Sequence, residues 1–291
     1  MKITFLGTDS GTEPVVDRRH MAFTIESGDS IYWFDAGEGC SHTAYTHGID
    51  LSRVRRVVIS HSHMDHIGGL GNLLWNIRKV DNVFGTRNAL PLDIHVPELE
   101  PLDALMTLLS YTEGDFQCKF DITRHRFADG VVFSDENMTV TALHNHHLPQ
   151  RADGEYRAYG FLIECEGKRI VYTGDTGGVN DYAALFPCDV LITETGHHTA
   201  DNVAAELCFK NLIPAERLIF THHGVEILAD FTGELRKAQN MMPGKVYFMN
   251  DADAITLTKG ERLHHTLRPT GRTSRAMTRR DSDRMYKSRR R

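Results

Sequence analysis

Six residues, His61-Ser62-His63-Met64-Asp65-His66, hold three imidazoles and a carboxylate directly after the apolar run VRRVVIS. In extended chain, residues i and i+2 point to the same side, so His61 and His63 converge on one point as a strand ends. Asp65 and His66 fall where the chain turns into the next element and face a second point nearby. Imidazole and carboxylate are suitable ligands for Zn²⁺, and also for Mn²⁺ or Fe. Buried without partners, these groups would be costly, which favours a metal site over a polar loop. Further donors follow other apolar runs. ALHNHH supplies His144, His146 and His147, YTGD supplies Asp175, and IFTHHG supplies His222 and His223. A carboxylate such as Asp175 can bridge two ions.

Each of these groups needs an element that delivers it. Alternation and turn residues predict strands at ITFLGT, AFTIES and IYWFDAG, with a hairpin turn at Gly28-Asp29. RRVVIS is a continuous apolar run, as in a strand covered on both faces. IGGLGNLLWNIRK has helical spacing at Leu70, Leu73, Leu74 and Ile77. LDIHVP is predicted as a strand, and ELEPLDALMTLLSY contains a helix started or interrupted by Pro101. Further along, TVTALHNHH, YGFLIECEG, KRIVYTGDTG, DVLITET, RLIFTHHG and KVYFMND are predicted strands, with EGK as a tight turn. VNDYAALF, TADNVAAELCFKNL and FTGELRKAQNMM are predicted helices. Antiparallel strands early in each half, followed by strands alternating with helices, indicate an α/β domain with two covered sheets.

The chain has 291 residues, 41% hydrophobic and 25% charged, enough for a sizeable core. No apolar run approaches the roughly 18–20 residues of a membrane span. MKITFLGTDSG enters a strand at once, without the long apolar stretch of a signal peptide. Five widely spaced cysteines without CxxC read as reduced, mostly buried thiols, so a cytoplasmic location is expected. The net charge of −6 hides an asymmetry: residues 259–291 carry 12 Lys+Arg against 3 Asp+Glu, leaving −15 on residues 1–258. A hydrolase domain over 1–258 and a basic, disordered tail over 259–291 are therefore expected. The tail is a candidate nucleic-acid contact or simply a solvated extension.

HxHxDH, a later histidine, a GD and a final TH, in that order, resemble the metallo-β-lactamase superfamily over essentially residues 1–258. The resemblance implies an αββα sandwich with two divalent metal ions, Zn²⁺ first among them, held by loops at one edge. His61, His63 and His147 would bind the first ion. Asp65, His66 and His222 would bind the second, with Asp175 bridging. His147 is preferred to His144 and His146 because Val140, Ala142 and His147 fit the family's V-x-A-x-x-x-x-H. His222 is preferred to His223 because LIFTHHG resembles a strand ending in T-H. FLGTDSG, FDAGEG and ETGHHTA…FTHHG look most like the ribonuclease Z and phosphodiesterase branch. That branch implies a Glu and a His beside the metals, here Glu194 and His198, with His198 contacting the scissile phosphate and Glu194 orienting it. The gripping arm common in tRNA-processing members is not evident, and a core at −15 is a poor match for a polyanion.

The function expected is a binuclear metal-dependent phosphodiesterase acting on a small molecule or an RNA end, with a metal-bridging hydroxide as nucleophile and Asp65 managing a proton. Two alternatives stand beside it. One is hydrolysis of a lactone, thioester or other acyl bond, and the other is a non-catalytic metal- or nucleic-acid-binding role through the tail. A homodimer is left open. Asp35 and Glu38 in FDAGEG are expected to be structural, Asp35 bound to backbone N–H groups of the glycine-rich turn. Cys40 is expected to be a buried thiol.

Overall fold

The computed structural model describes residues 1–12 and 14–258, so the expectations for 259–291 lie outside the described residues. Strands β1 (Lys2–Gly7), β2 (Ala22–Ser27), β3 (Ser30–Phe34), β4 (Val54–Val58), β5 (Leu92–Val96) and β6 (Ile122–Arg126) form one sheet. The second sheet contains β7 (Gly130–Ser134), β8 (Met138–His144), β9 (Tyr159–Cys165), β10 (Lys168–Tyr172), β11 (Val190–Thr195), β12 (Arg217–His223) and β13 (Val246–Phe248). The last strand, β14 (Ala254–Thr256), returns to the first sheet. The orders are β14-β1-β2-β3-β4-β5-β6 and β13-β12-β11-β10-β9-β8-β7.

Both sheets begin antiparallel and become parallel. β1, β2 and β3 pair antiparallel, while β3 to β6 run parallel. Likewise β7 to β10 pair antiparallel and β10 to β13 run parallel. The parallel strands carry helices on their outer faces, as crossovers require. Ile3, Phe5, Phe23, Phe34, Phe161, Ile163 and Ile192 fill the space between the sheets. Outside the first sheet, Leu6, Trp33 and Val57 pack with Leu70, Leu73 and Leu74 of the helix Leu70–Phe84. Outside the second, Leu191, Leu218 and Phe220 pack with Ala204 and Leu207 of the helix Ala200–Phe209 and with Ala238 of the helix Phe231–Met241. The helices are α1 (Cys40–Thr46), α2 (Met64–Ile67), α3 (Leu70–Phe84), α4 (Leu99–Ser110), α5 (Ala200–Phe209), α6 (Val225–Ala229) and α7 (Phe231–Met241). This is the expected αββα sandwich. Among the described residues, no helix is long and apolar enough to cross a membrane.

Two local expectations give way. VNDYAALF forms two short 3₁₀ turns, Val179–Asp181 and Ala183–Leu185, rather than a helix. Gly178 at φ 144° on one side and Pro187 on the other leave too little chain to nucleate an α-helix. Strands β6, β7 and β14 also escape the pattern reading. All three are edge strands, with mixed exposure and little alternation.

Candidate metal centre

The site forms where strands of both sheets end. Beyond β4 come Ser60 and His61, and α2 follows with His63 at its N-cap and Asp65 and His66 in its single turn. The chain leaving β8 delivers His147, the turn after β10 delivers Asp175, and the last residues of β12 deliver His222. Such strand ends are the common place for ligand sites in α/β sheets. The β11–β12 register shifts between Glu194 and Thr195, and His222 adopts φ 50°. That left-handed conformation, costly for a non-glycine residue, is tolerated where surrounding structure imposes it. Gly196 leaves room for the ring: a Cβ there would lie 2.6 Å from His222 Nδ1.

Two donor groups share one carboxylate. His61, His63, His147 and Asp175 present ligand atoms within 4.8 Å of one another, and so do Asp65, His66, Asp175 and His222. Asp175 Oδ2 faces the first trio, 3.9 Å from His61 Nε2 and 3.7 Å from His147 Nε2. Its Oδ1 faces the second, 3.2 Å from His66 Nε2 and 3.4 Å from His222 Nε2. His222 Nε2 lies 3.0 Å from Asp65 Oδ2. His61, His66, Asp175 and His222 are buried, while His63 and His147 form the more open side.

The chemistry of these contacts asks for cations. His66 donates its Nδ1–H to Asp35 Oδ2 at 2.8 Å, so in the neutral ring Nε2 carries only a lone pair. That lone pair faces the carboxylates of Asp175 and Asp65 and lies 3.2 Å from His222 Nε2. His63 Nδ1 and His147 Nε2 likewise meet at 3.2 Å. His61 Nε2 and Asp175 Oδ1, both buried, have no hydrogen-bond partner. Acceptors gathered in this way fit divalent ions between them.

Without metal, the charges respond as expected. Burial would raise the Asp175 carboxyl, yet His222 and His66 hold it well below the usual carboxylate range. Asp65 is likewise opposed by burial and held low by hydrogen bonds from His222 and from His66. Against its burial, the His66 ring is raised well above the ordinary imidazole value by Asp175 and Asp35, and it then carries a proton on both nitrogens. Burial depresses His61 well below the ordinary imidazole value, helped by the neighbouring His66 ring.

Behind the centre sits Asp35, fully buried. Its Oδ1 accepts from Ser60 N–H at 2.6 Å, and its Oδ2 from Ser60 Oγ, His66 Nδ1 and the Tyr172 hydroxyl at 2.8, 2.8 and 2.5 Å. It is structural, but its partners differ from the expected glycine-rich turn, because Oδ2 is turned towards His66. Glu38 is exposed rather than beneath the site. Cys40 is a buried thiol, pushed up to about 12 by burial.

The remaining histidines sort themselves by partner. His144 binds Asp129 and His146 binds Asp181, leaving His147 alone of the three in the cluster. His223 turns away to Thr195 Oγ1 and the Met249 carbonyl. His198 gives Nε2 to the Thr176 carbonyl at 2.9 Å and is in neither donor group. The imidazole facing the centre from that loop is His197. Its ring lies 4.9 Å from His147 and 5.9 Å from His222, and its Nδ1 is 3.0 Å from Glu194 Oε1. That bond to Glu194 pushes His197 up to about 9. Glu194 also accepts from the backbone N–H groups of Thr176 and His197. Sequence reasoning missed His197 because adjacent histidines in a loop carry no periodicity. Asp93, His95 and His125 form another close group, but the Arg56 guanidinium already occupies it, 2.7 Å from Asp93.

Comparison with known proteins agrees with this architecture. The Beta-lactamase superfamily domain matches residues 32–223. Ribonuclease Z of Synechococcus sp. (strain CC9311) is 33% identical over 175 residues, 56% of this chain and 52% of that protein. Ribonuclease Z of Methanothermobacter thermautotrophicus is 31% identical over 148 residues, 50% of this chain and 45% of that protein. The chain thus spans about half the length of the curated relatives it matches. Human tRNase Z, short form (ELAC1), superposes with a TM-score of 0.66 at 22% identity, covering 89% of this chain and 100% of that one. The metallo-beta-lactamase fold protein YhfI from Bacillus subtilis gives 0.67 at 19% identity, covering 87% and 98%. At these identities, the structural likenesses speak for the fold alone.

Proposed function

This chain belongs to the metallo-β-lactamase superfamily, and from that premise we propose that it is a binuclear metal-dependent phosphodiesterase of the ribonuclease Z-like branch. The observation that carries the reading is the division of Asp175, one oxygen towards each histidine group. His61, His63 and His147 would hold one ion, and Asp65, His66 and His222 the other, with Asp175 common to both. Zn²⁺ suits this donor set best, with Mn²⁺ or Fe also compatible. Bound there, the ions supply Lewis acidity towards phosphoryl oxygens and lower the pKa of water towards about 7.

The protein's own groups do the rest. Asp65 accepts the proton of the water that attacks phosphorus. We assign the phosphate-contacting role to His197 instead of His198. Glu194 takes its Nδ1–H and holds the ring up at about 9, so the ring is an imidazolium at neutral pH and its Nε2–H can donate to a phosphoryl oxygen or to the departing alkoxide. Asp35 and Tyr172 fix His66 from behind. The matched relatives are ribonucleases Z, which supports a phosphodiester of a small molecule or an RNA end as substrate.

The test is hydrolysis of bis(p-nitrophenyl) phosphate by metal-loaded protein, with bound metal counted in parallel. We expect two ions per chain and turnover in the wild type. Asp175→Ala should lose both metal and activity, the latter at least about 100-fold. Full activity and metal content in that variant would remove Asp175 from the bridge. No turnover with two ions bound would overturn the choice of bond.

A further inference from the structure

Asn145 stands inside HNHH, between histidines that turn to other partners and the one that joins the centre. An amide at this place offers what an imidazole does not: an oxygen that accepts and an NH₂ that donates twice. The residue is 2% exposed, and both capacities are used. Its Oδ1 accepts His147 N–H at 3.1 Å, an Asx turn that bends the chain at His147. Its Nδ2 donates to the Thr173 carbonyl at 3.2 Å and to the Asp175 carbonyl at 2.7 Å. The backbone N–H of Asn145 goes to the Ala158 carbonyl at 2.9 Å, which continues the β8–β9 ladder by one bond.

The carbonyls that Asn145 meets belong to the turn carrying the shared carboxylate. Gly174 adopts φ 58° there, and a Cβ on it would lie 2.8 Å from the Tyr159 carbonyl oxygen and 3.1 Å from Ser60 Cβ. The turn is thus wedged against β9 and the Ser60 loop. Having left the ladder of β10, its buried carbonyls need a donor from elsewhere. These partners also fix which way the amide faces. Flipped, it would set its oxygen against two carbonyl oxygens and its NH₂ against an N–H. One buried side chain therefore ties a ligand of the His61–His63–His147 position to the segment whose carboxylate both positions share. Asp35 grips the opposite position from the first sheet, through His66.

We propose that Asn145 is a positioning residue of the metal centre, which fixes His147 against Asp175 and so sets affinity at the His61–His63–His147 position. The proposal rests on the binuclear reading for the ions held, while the contacts that carry it are the protein's own. Two other features compete for the same role. Arg151 and Arg157 both reach Glu98 Oε1 at 3.0 Å and pin the loop that follows His147. Leu143, two residues before Asn145, packs against the outer core that contains Leu207. Neither feature touches the Asp175 turn through a hydrogen bond to its carbonyls, whereas Asn145 does.

The test is competition for Zn²⁺ against a chelator of known affinity, resolved into binding steps. His63→Ala and Asp65→Ala assign each step to its position. Asn145→Ala removes every side-chain bond, whereas Asn145→Ser keeps an acceptor for His147 N–H and gives up the reach to the two carbonyls. The His61–His63–His147 step should weaken about 10–100-fold in Asn145→Ala and about tenfold in Asn145→Ser. The Asp65–His66–His222 step should change less in both. Arg151→Ala and Leu207→Ala should leave both steps within about twofold, although Leu207→Ala lowers the melting temperature. An unchanged first step in either folded Asn145 variant overturns the proposal. So does an equal weakening in Arg151→Ala or Leu207→Ala, which would give the role to the loop or to general stability. In metal-free wild type, the His147 amide and the Asn145 NH₂ should exchange slowly with solvent, and rapid exchange of either overturns the tie without any variant. A single ion in the wild type would refute the binuclear reading alone, because the step lost in His63→Ala still decides Asn145. Absence of that step overturns both.

Discussion

Asp35→Asn separates a positioning role from passive burial. Asp35 is fully buried and accepts four hydrogen bonds, so the amide must set its NH₂ against one group of donors. With NH₂ in the Oδ1 position, it meets Ser60 N–H, a donor that cannot turn away. A buried bond is lost and an N–H is stranded, at about 1–3 kcal/mol. With NH₂ in the Oδ2 position, the hydroxyls of Ser60 and Tyr172 can rotate, but His66 Nδ1–H cannot. Relief would then require His66 to move its proton to Nε2, the nitrogen aimed at Asp175 and Asp65. That tautomer cannot ligate through Nε2. We therefore expect metal affinity at the Asp65–His66–His222 position to fall about 10–100-fold, about 1.4–2.7 kcal/mol. The position held by His61, His63 and His147 should change little. The metal-free protein should melt roughly 2–12 °C lower, at 2–4 °C per kcal/mol for a chain of this size. Competition against a chelator of known affinity, resolved into two binding steps, measures the first effect, and thermal melting the second. A folded variant with both steps unchanged would refute the claim that Asp35 orients His66.

Three further outcomes are expected. His197→Ala should lower kcat about 100-fold with metal content intact, while His198→Ala should cost less than about threefold; steady-state rates on one diester decide, and the opposite ranking returns the role to His198. His95 is pushed down to about 3, by burial first and then by His125 and Arg56. Its ring stays neutral in the fold but takes a proton near 6.5 when unfolded, so its contribution is full above pH 6.5 and is lost as pH falls towards 3. At pH 5 this amounts to about 2 kcal/mol, and His95→Phe should flatten that part of the urea-midpoint profile; an unchanged profile assigns the acid sensitivity elsewhere. Deleting residues 259–291 should weaken RNA binding and blunt its salt dependence if the tail touches phosphates, and unchanged affinity would leave it without that role.

What could be read from the chain follows from which signals are local. His61 and His63 two apart on a strand end, with Asp65 and His66 on the next turn, need only the geometry of one strand and one helical turn. The apolar runs of β4, β11 and β12 are equally local, since a strand covered on both faces must be apolar throughout. The edge strand β6, ITRHR, keeps charged residues that pair sideways with Asp93 and Asp103, and no local pattern marks it as strand. The choice between His197 and His198 is likewise not local. It depends on Glu194, three residues back on β11, closing its carboxylate onto the His197 N–H and ring, while Thr176 from another turn takes His198. The same holds for Tyr172, whose hydroxyl crosses between the sheets to reach Asp35. Donors that face the centre are thus written as spacings along single strands, whereas the groups that orient them are set by how the two sheets meet. A variant series restricted to the HxHxDH residues would test only the first kind. Asp35, Tyr172 and Glu194 test the second, and there the proposed mechanism stands or falls.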